Sequence, residues 1–186
     1  MDTRYLNEVK KGNTNAFSYF IRTYQNKAFG IAISIVKNED DAKDVVQNSF
    51  ITAYSSISKF RNDAKFSTWF YRIVVNTGLQ FLAQQKRNFI KNEALELSVT
   101  EKTACNTVIK KMHQDDLKHL VKSVFGKIPP KQALILQLFY IDELSIAEIE
   151  DATNFTKPNI KVLLHRGRTS FYNIAKKEHI KKILLK

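Results

Sequence analysis

The 186-residue sequence contains a single cysteine, Cys105, so it forms no disulfide within the chain and offers no cysteine-rich zinc site. Its four histidines, His113, His119, His165 and His179, make no short metal-ligand pair with a matching carboxylate or thiol. Only five glycines and three prolines occur, and alternating apolar–polar runs are scarce, which predicts a nearly all-α chain. No apolar run approaches the roughly 20 residues of a membrane span. Residues 1–12 are too polar for a signal peptide, so a cytoplasmic protein without membrane insertion is expected. No constellation of side chains argues for an enzyme: neither a catalytic group, a metal site nor a cofactor is expected. Acidic residues are also in deficit, 18 against 30 basic ones, for a net charge of +12 and a pI near 9.7. That balance favours a polyanionic partner, either nucleic acid or an anionic surface.

What is present is helical periodicity in two blocks. In the first, Asn13 or Thr14 can cap a long helix whose apolar positions are Phe17, Phe20, Ile21, Tyr24, Ala28, Ile31 and Ile35. Asn38 then caps a second helix, with Glu39, Asp40 and Asp41 in its first turn, where carboxylates complement the helix dipole. Its core stripe is Ala42, Val45, Val46, Phe50 and Ala53. Asp40, Lys43, Asp44, Gln47 and Asn48 remain outside, and they suit either a solvated face or a docking surface for a basic protein. Residues 55–66 read as a loop with a turn at Asn62-Asp63. A helix follows from about Ser67, with Phe70, Ile73, Val74, Thr77 and Phe81 suited to the core and Trp69, Arg72, Asn76, Gln80 and Gln84 on the other side. The stretch 60–76, FRNDAKFSTWFYRIVVN, interleaves Phe60, Phe66, Trp69 and Tyr71 with Arg61, Lys65 and Arg72. Aromatics at such spacing usually fill a core; the other reading is that they stack bases while the cations hold phosphates of a separated strand. Gly78 inside this helix hints at a close helix approach.

Periodicity fades over residues 88–114, which read as a linker. The second block has an apolar stripe of Leu117, Leu120, Val121 and Val124, a boundary at Pro129-Pro130, and a strongly apolar helix with Ala133, Leu134, Leu136, Leu138 and Phe139. Ser145-Ile146-Ala147-Glu148 is an S-x-x-E capping box. Its helix ends near Thr153, with Asn154 suited to a left-handed turn, and Thr156-Lys157-Pro158 opens another helix reaching about Ala175. Residues 142–151 carry five acidic and no basic side chains, whereas the next helix carries Lys157, Lys161, His165, Arg166 and Arg168. A tight helix-turn-helix with charge separated in this way fits a unit whose second helix enters the DNA major groove. A basic solvated helix of a bundle is the other reading of the same pattern.

In this order and spacing the segments resemble the sigma-70 family of bacterial transcription initiation factors, in particular its extracytoplasmic-function (ECF) group. DDAKDVVQNSFITAY (40–54) is similar to the family segment that docks on the β′ clamp helices of RNA polymerase. FRNDAKFSTWFYRIVVNTGLQFLAQQKR (60–87) resembles the segments that melt and read the −10 promoter element. IPPKQALILQLFYIDELSIAEIEDATNFTKPNIKVLLHRGR (128–168) resembles the domain that reads the −35 element. The resemblance implies two small helical domains, 1–88 and 115–186, joined by a linker over 89–114. It implies polymerase binding through Asp40, Asp41, Asp44, Gln47 and Asn48. It places −10 recognition on Arg61, Asn62, Asp63, Lys65, Tyr71, Arg72 and Asn76, the loop 61–65 helping to hold a flipped base and Tyr71 and Asn76 lining its pocket. The −35 element falls to Thr156, Lys157, Asn159, Lys161, His165, Arg166 and Arg168. The implied partners are RNA polymerase core, through its β′ clamp helices and β flap, promoter DNA and an anti-sigma factor. The sequence departs from the family pattern at Asn48, where glutamate is common, at Gln80, Ala83 and Gln84, and at Asn154, Pro158 and Leu163. A helix-turn-helix regulator that binds duplex DNA without polymerase is the alternative.

Overall fold

The structure is a computed structural model describing residues 1–61, 64–93 and 114–184, with backbone only at 90–93, 114–119 and 178–184. Among the described residues there is no strand. Eight α-helices follow in order: α1 (Asp2–Lys10), α2 (Ser18–Val36), α3 (Glu39–Ser56), α4 (Phe66–Glu93), α5 (Gln114–Lys127), α6 (Pro130–Leu136), α7 (Ile146–Thr153) and α8 (Lys157–Leu184).

α2, α3 and α4 pack on one another. Their meeting faces are the apolar stripes expected from the sequence, with Phe20, Ala28, Ile31, Ile35, Ala42, Val45, Phe70 and Val74 all fully buried. Aromatic rings fill the centre. Phe50 stacks on Phe70 at 4.7 Å between centroids, and Phe20 meets Phe66 at 4.2 Å. Each fully buried Phe contributes about 1.5–3 kcal/mol of apolar transfer. Gly78 makes the close approach possible: a Cβ there would stand 2.9 Å from Ile35 Cδ1.

α1 lies over this bundle. The Asp2 carboxylate accepts hydrogen bonds from the hydroxyls of Tyr19 (2.9 Å) and Tyr24 (2.6 Å), and Tyr5 stacks on Tyr19 at 4.0 Å. Both tyrosine hydroxyls are pushed up in pKa, Tyr19 chiefly by its bond to Asp2 and Tyr24 chiefly by burial.

In the second unit α6 packs on α8, and α7 lies between α4 and α8. Leu134, Ile135, Leu138, Ile149, Ile160 and Leu164 form its buried interior, Ile135 being a core position the sequence pattern had not marked.

Several boundaries differ from expectation. Asn13 precedes a 3₁₀ turn, Thr14–Phe17, without a side-chain cap bond, and α2 starts only at Ser18. Ile21, expected in the core, is 39% exposed. α3 keeps Ser55 and Ser56, and Ile57–Lys59 form a further 3₁₀ turn, so the loop is shorter than 55–66. α4 continues to Glu93, past the boundary placed at 88, and α8 runs to Leu184. The apolar helix after Pro129 stays α-helical only to Leu136 and closes in a π turn, Gln137–Ile141. Asn62, Asp63 and most of the linker lie outside the described residues.

Candidate nucleic-acid and partner interfaces

α3 presents an exposed stripe on its outer side. Asn38 caps the helix by accepting from the backbone N–H groups of Asp40 (2.8 Å) and Asp41 (3.1 Å). Asp40, Lys43, Asp44, Gln47 and Asn48 are exposed, three and four residues apart. Asp40 pairs with Lys43 at 2.8 Å, and this bond holds the Asp40 carboxyl below its ordinary pKa. Asp41 stands apart from the stripe: it is half-buried and accepts from Gln85 Nε2 of α4 at 3.0 Å. Ile51, 58% exposed, continues the stripe one turn beyond Asn48.

The helix-turn-helix is built as its signals require. Ser145 Oγ accepts from the Glu148 N–H, and the Glu148 carboxylate accepts from the Ser145 N–H at 3.0 Å, closing the capping box. Asn154 ends α7 in the left-handed region, φ 59°. Glu150 Oε1 then accepts from the Lys157 N–H at 3.1 Å, which ties the start of α8 to α7. Thr156, Lys157, Asn159, Lys161, His165, Arg166 and Arg168 are all exposed. Arg168 Nε donates back to the Leu164 carbonyl at 3.3 Å.

Described residues on either side of positions 62–63 make contacts with other elements. Phe60 is buried, its carbonyl accepts from Lys10 Nζ at 2.7 Å, and the same ammonium lies 5.8 Å from its ring centre. Arg61 and Lys65 are exposed, and Lys65 Nζ meets Glu148 Oε1 of α7 at 2.9 Å. On α4, Arg72 and Asn76 stand one turn apart and exposed. Further along, Gln80, Gln84, Arg87 and Asn88 line one groove. Among the described residues no cluster of His, Cys, Asp and Glu could hold a metal ion.

Residues 20–88 match the family described as Sigma-70 region 2, and residues 119–171 that described as Sigma-70, region 4. The chain is 30% identical over 179 residues to the ECF RNA polymerase sigma-E factor of Salmonella typhimurium (strain LT2), covering 92% of this chain and 93% of that protein. The chain belongs to the sigma-70 family. It falls in the ECF group, being also 29% identical over 174 residues to the ECF RNA polymerase sigma factor SigW of Bacillus subtilis (strain 168), with 90% and 93% covered. Its function is that of a transcription initiation factor for RNA polymerase, not of an enzyme. The fold agrees with the sigma factor RpoE of Bartonella quintana, solved with the anti-sigma factor NepR, at a TM-score of 0.68 and 18% identity over 86% of this chain and 96% of that one. It agrees also with CnrH, solved with the cytosolic domain of CnrY, at 0.64 and 20% over 93% and 96%.

In this sigma factor the expected residues divide unevenly. Arg72 and Asn76 share one face of α4, but Tyr71 is not with them. Five residues separate Tyr71 from Asn76, about 140° around a helix. Tyr71 is only 2% exposed, its ring edge-on to Tyr24 at 6.3 Å. Burial first, then the nearby Asp142 and Asp2 carboxylates, push its hydroxyl pKa up. The expectation of Tyr71 as a presented pocket residue is therefore corrected for this conformation: it is an interior residue. Trp69, which the spacing put on the other side, is instead half-buried against Phe60 (5.0 Å) and Phe66 (5.5 Å), whereas Phe70 is core, as its spacing suggested. Leu163, which departs from the family's basic residue, packs half-buried against the core and so lies off the exposed reading face. Sequence reasoning missed Lys10 and Ile51. The signal for Ile51 was available, since an isoleucine off the core stripe falls on the docking stripe.

Proposed function

We propose that this sigma factor holds RNA polymerase core through the α3 stripe and reads promoters with two separate surfaces. Asp40, Asp44, Gln47 and Asn48 present acidic and amide groups to a basic partner, and Ile51 adds an apolar contact at the end of the same stripe. Asp41 supports that stripe from behind through Gln85. Arg61, Lys65, Arg72 and Asn76 hold the separated −10 strand, cations on phosphates and the amide on a base edge. Asn62 and Asp63, outside the described residues, are assigned to the same strand by resemblance alone. Thr156, Lys157, Asn159, Lys161, His165, Arg166 and Arg168 place the start of α8 in the major groove of the −35 element. Polymerase supplies the chemistry and its metal; this chain supplies the address and works where polymerase is, in the cytoplasm. The β flap falls to the second unit. An anti-sigma protein is the expected regulator, because both resembling structures hold a bound partner, named an anti-sigma factor in that of RpoE.

The observation that carries the reading is the exposure of all seven α8-unit side chains behind a capping-box helix, together with a separate exposed polar stripe on α3. The test is promoter-dependent transcription by core polymerase supplied with this chain and a promoter library. Asp44→Ala with Gln47→Ala should abolish polymerase binding while duplex binding persists. Unchanged polymerase binding would remove the α3 stripe from the assignment.

A further inference from the structure

α1 precedes the segment 20–88 and has been given no part in reading DNA. It is anchored along its whole length. At its start the Asp2 carboxylate accepts from the Tyr19 and Tyr24 hydroxyls, and further along Leu6 and Val9 are buried. Lys10 stands in the last turn, about 12 Å beyond Asp2 along the axis. Its ammonium donates to the Phe60 carbonyl at 2.7 Å and lies 5.8 Å from the Phe60 ring centre. A cation at a helix C-terminus is favoured by the helix dipole in any case. The dipole does not, however, call for a bond to a carbonyl 50 residues away.

Phe60 is where the chain leaves helical backbone. It follows the 3₁₀ turn Ile57–Lys59 with φ −70° and ψ 115°, and its N–H donates to the Ile57 carbonyl at 3.2 Å. Its ring is buried, 5.0 Å from Trp69 and edge-on to Phe66 at 6.0 Å. The remaining group is the carbonyl, which belongs to the same planar peptide as the Arg61 N–H. Holding that oxygen therefore fixes the plane from which the exposed Arg61 departs. Asp2 steadies the same ring cluster from its other side, because the Tyr24 it binds meets Phe66 at 5.4 Å.

Resting on the −10 reading given above, we propose that Lys10 is a positioning residue for the separated strand: α1 presents its ammonium to the Phe60 carbonyl, which sets the direction of Arg61 before the strand arrives. The cation acts through the backbone and not on a phosphate. A carbonyl left to water would let the Phe60–Arg61 peptide turn, and the strand would then have to order it on binding. A charge-assisted bond reinforced by the face of the ring suits this task.

Lys10 is exposed, so Lys10→Met removes the ammonium without opening the core. In complex with core polymerase this variant should bind a single-stranded −10 oligonucleotide about three- to tenfold more weakly, the worth of one hydrogen bond. Affinity for core polymerase should stay as in the unsubstituted chain. Lys10→Arg should restore strand binding, since a guanidinium keeps both a donor and a cation over the ring. Salt dependence separates positioning from direct contact. A positioning residue leaves the slope of log affinity against log salt unchanged, whereas loss of a phosphate contact lowers its magnitude by about 0.7. Such a drop overturns the proposal, as does undiminished strand binding by Lys10→Met or a loss of core affinity by the same factor. If Arg61→Ala and Arg72→Ala also leave strand binding intact, the −10 reading itself fails and the proposal with it.

Discussion

Asn76 and Arg72 stand one turn apart on the outer side of α4, and nothing in the fold demands an amide at that exposed position. Asn76→Ala should lower −10 discrimination or promoter opening about five-fold, the worth of one hydrogen bond of about 1 kcal/mol. Affinity for polymerase core should not change; equal loss of opening and core binding would mark Asn76 as a folding residue. The neighbouring aromatics show where single residues were legible. Phe70 and Phe66 recur at helical spacing with the other buried aromatics, so their place in the core follows from periodicity. Tyr71 does not follow, because it is buried where Asp142, far along the chain, comes near enough to act on its hydroxyl. Leu163 likewise departs from a family pattern for a reason visible only in three dimensions, its packing at the edge of the second core.

At the scale of elements, the best-read features were those whose signals are local. The Asn38 cap, the S-x-x-E box, the left-handed Asn154 and the proline-opened α6 and α8 all use groups within a few residues of one another. Ser145→Ala removes one half of the box and should cost about 1 kcal/mol of stability, within a range of about 0.5–2. Thermal unfolding would register the loss, while Ser145→Asp should retain most of the stability. The π turn Gln137–Ile141 had no local signal. In it the Asp142 N–H reaches back five residues to the Gln137 carbonyl at 3.0 Å. Tyr140 and Ile141 end 50% and 58% exposed, just past the apolar positions Ala133 to Phe139 marked in the sequence. Asp142 is instead buried and bound by Gln137 Nε2. Its carboxyl pKa is raised by that burial, with Gln137 and Lys27 acting in the opposite sense.

For the whole molecule, the sequence made the two units legible and hid their docking, since a basic loop and an acidic helix each have a sufficient explanation alone. The junction carries its own pH signature at Lys37, which sits at the C-cap of α2 with φ 65° and donates to the Phe125 carbonyl. Burial pulls its ammonium from 10.5 down to about 8. Below pH 8 both folded and unfolded chains hold this proton, and the docked form carries the full burial cost of the charge. Between about 8 and 10.5 the folded chain has released the proton while the unfolded chain still binds it, so stability from this group rises with pH across that window. The neutral amine keeps an N–H for Phe125, so the hydrogen bond survives the titration. Lys37→Met should therefore raise the melting temperature most near pH 7 and progressively less toward pH 10. A difference that stays constant with pH would show that Lys37 is fully hydrated at the junction and that its bond to the Phe125 carbonyl is not held there as described.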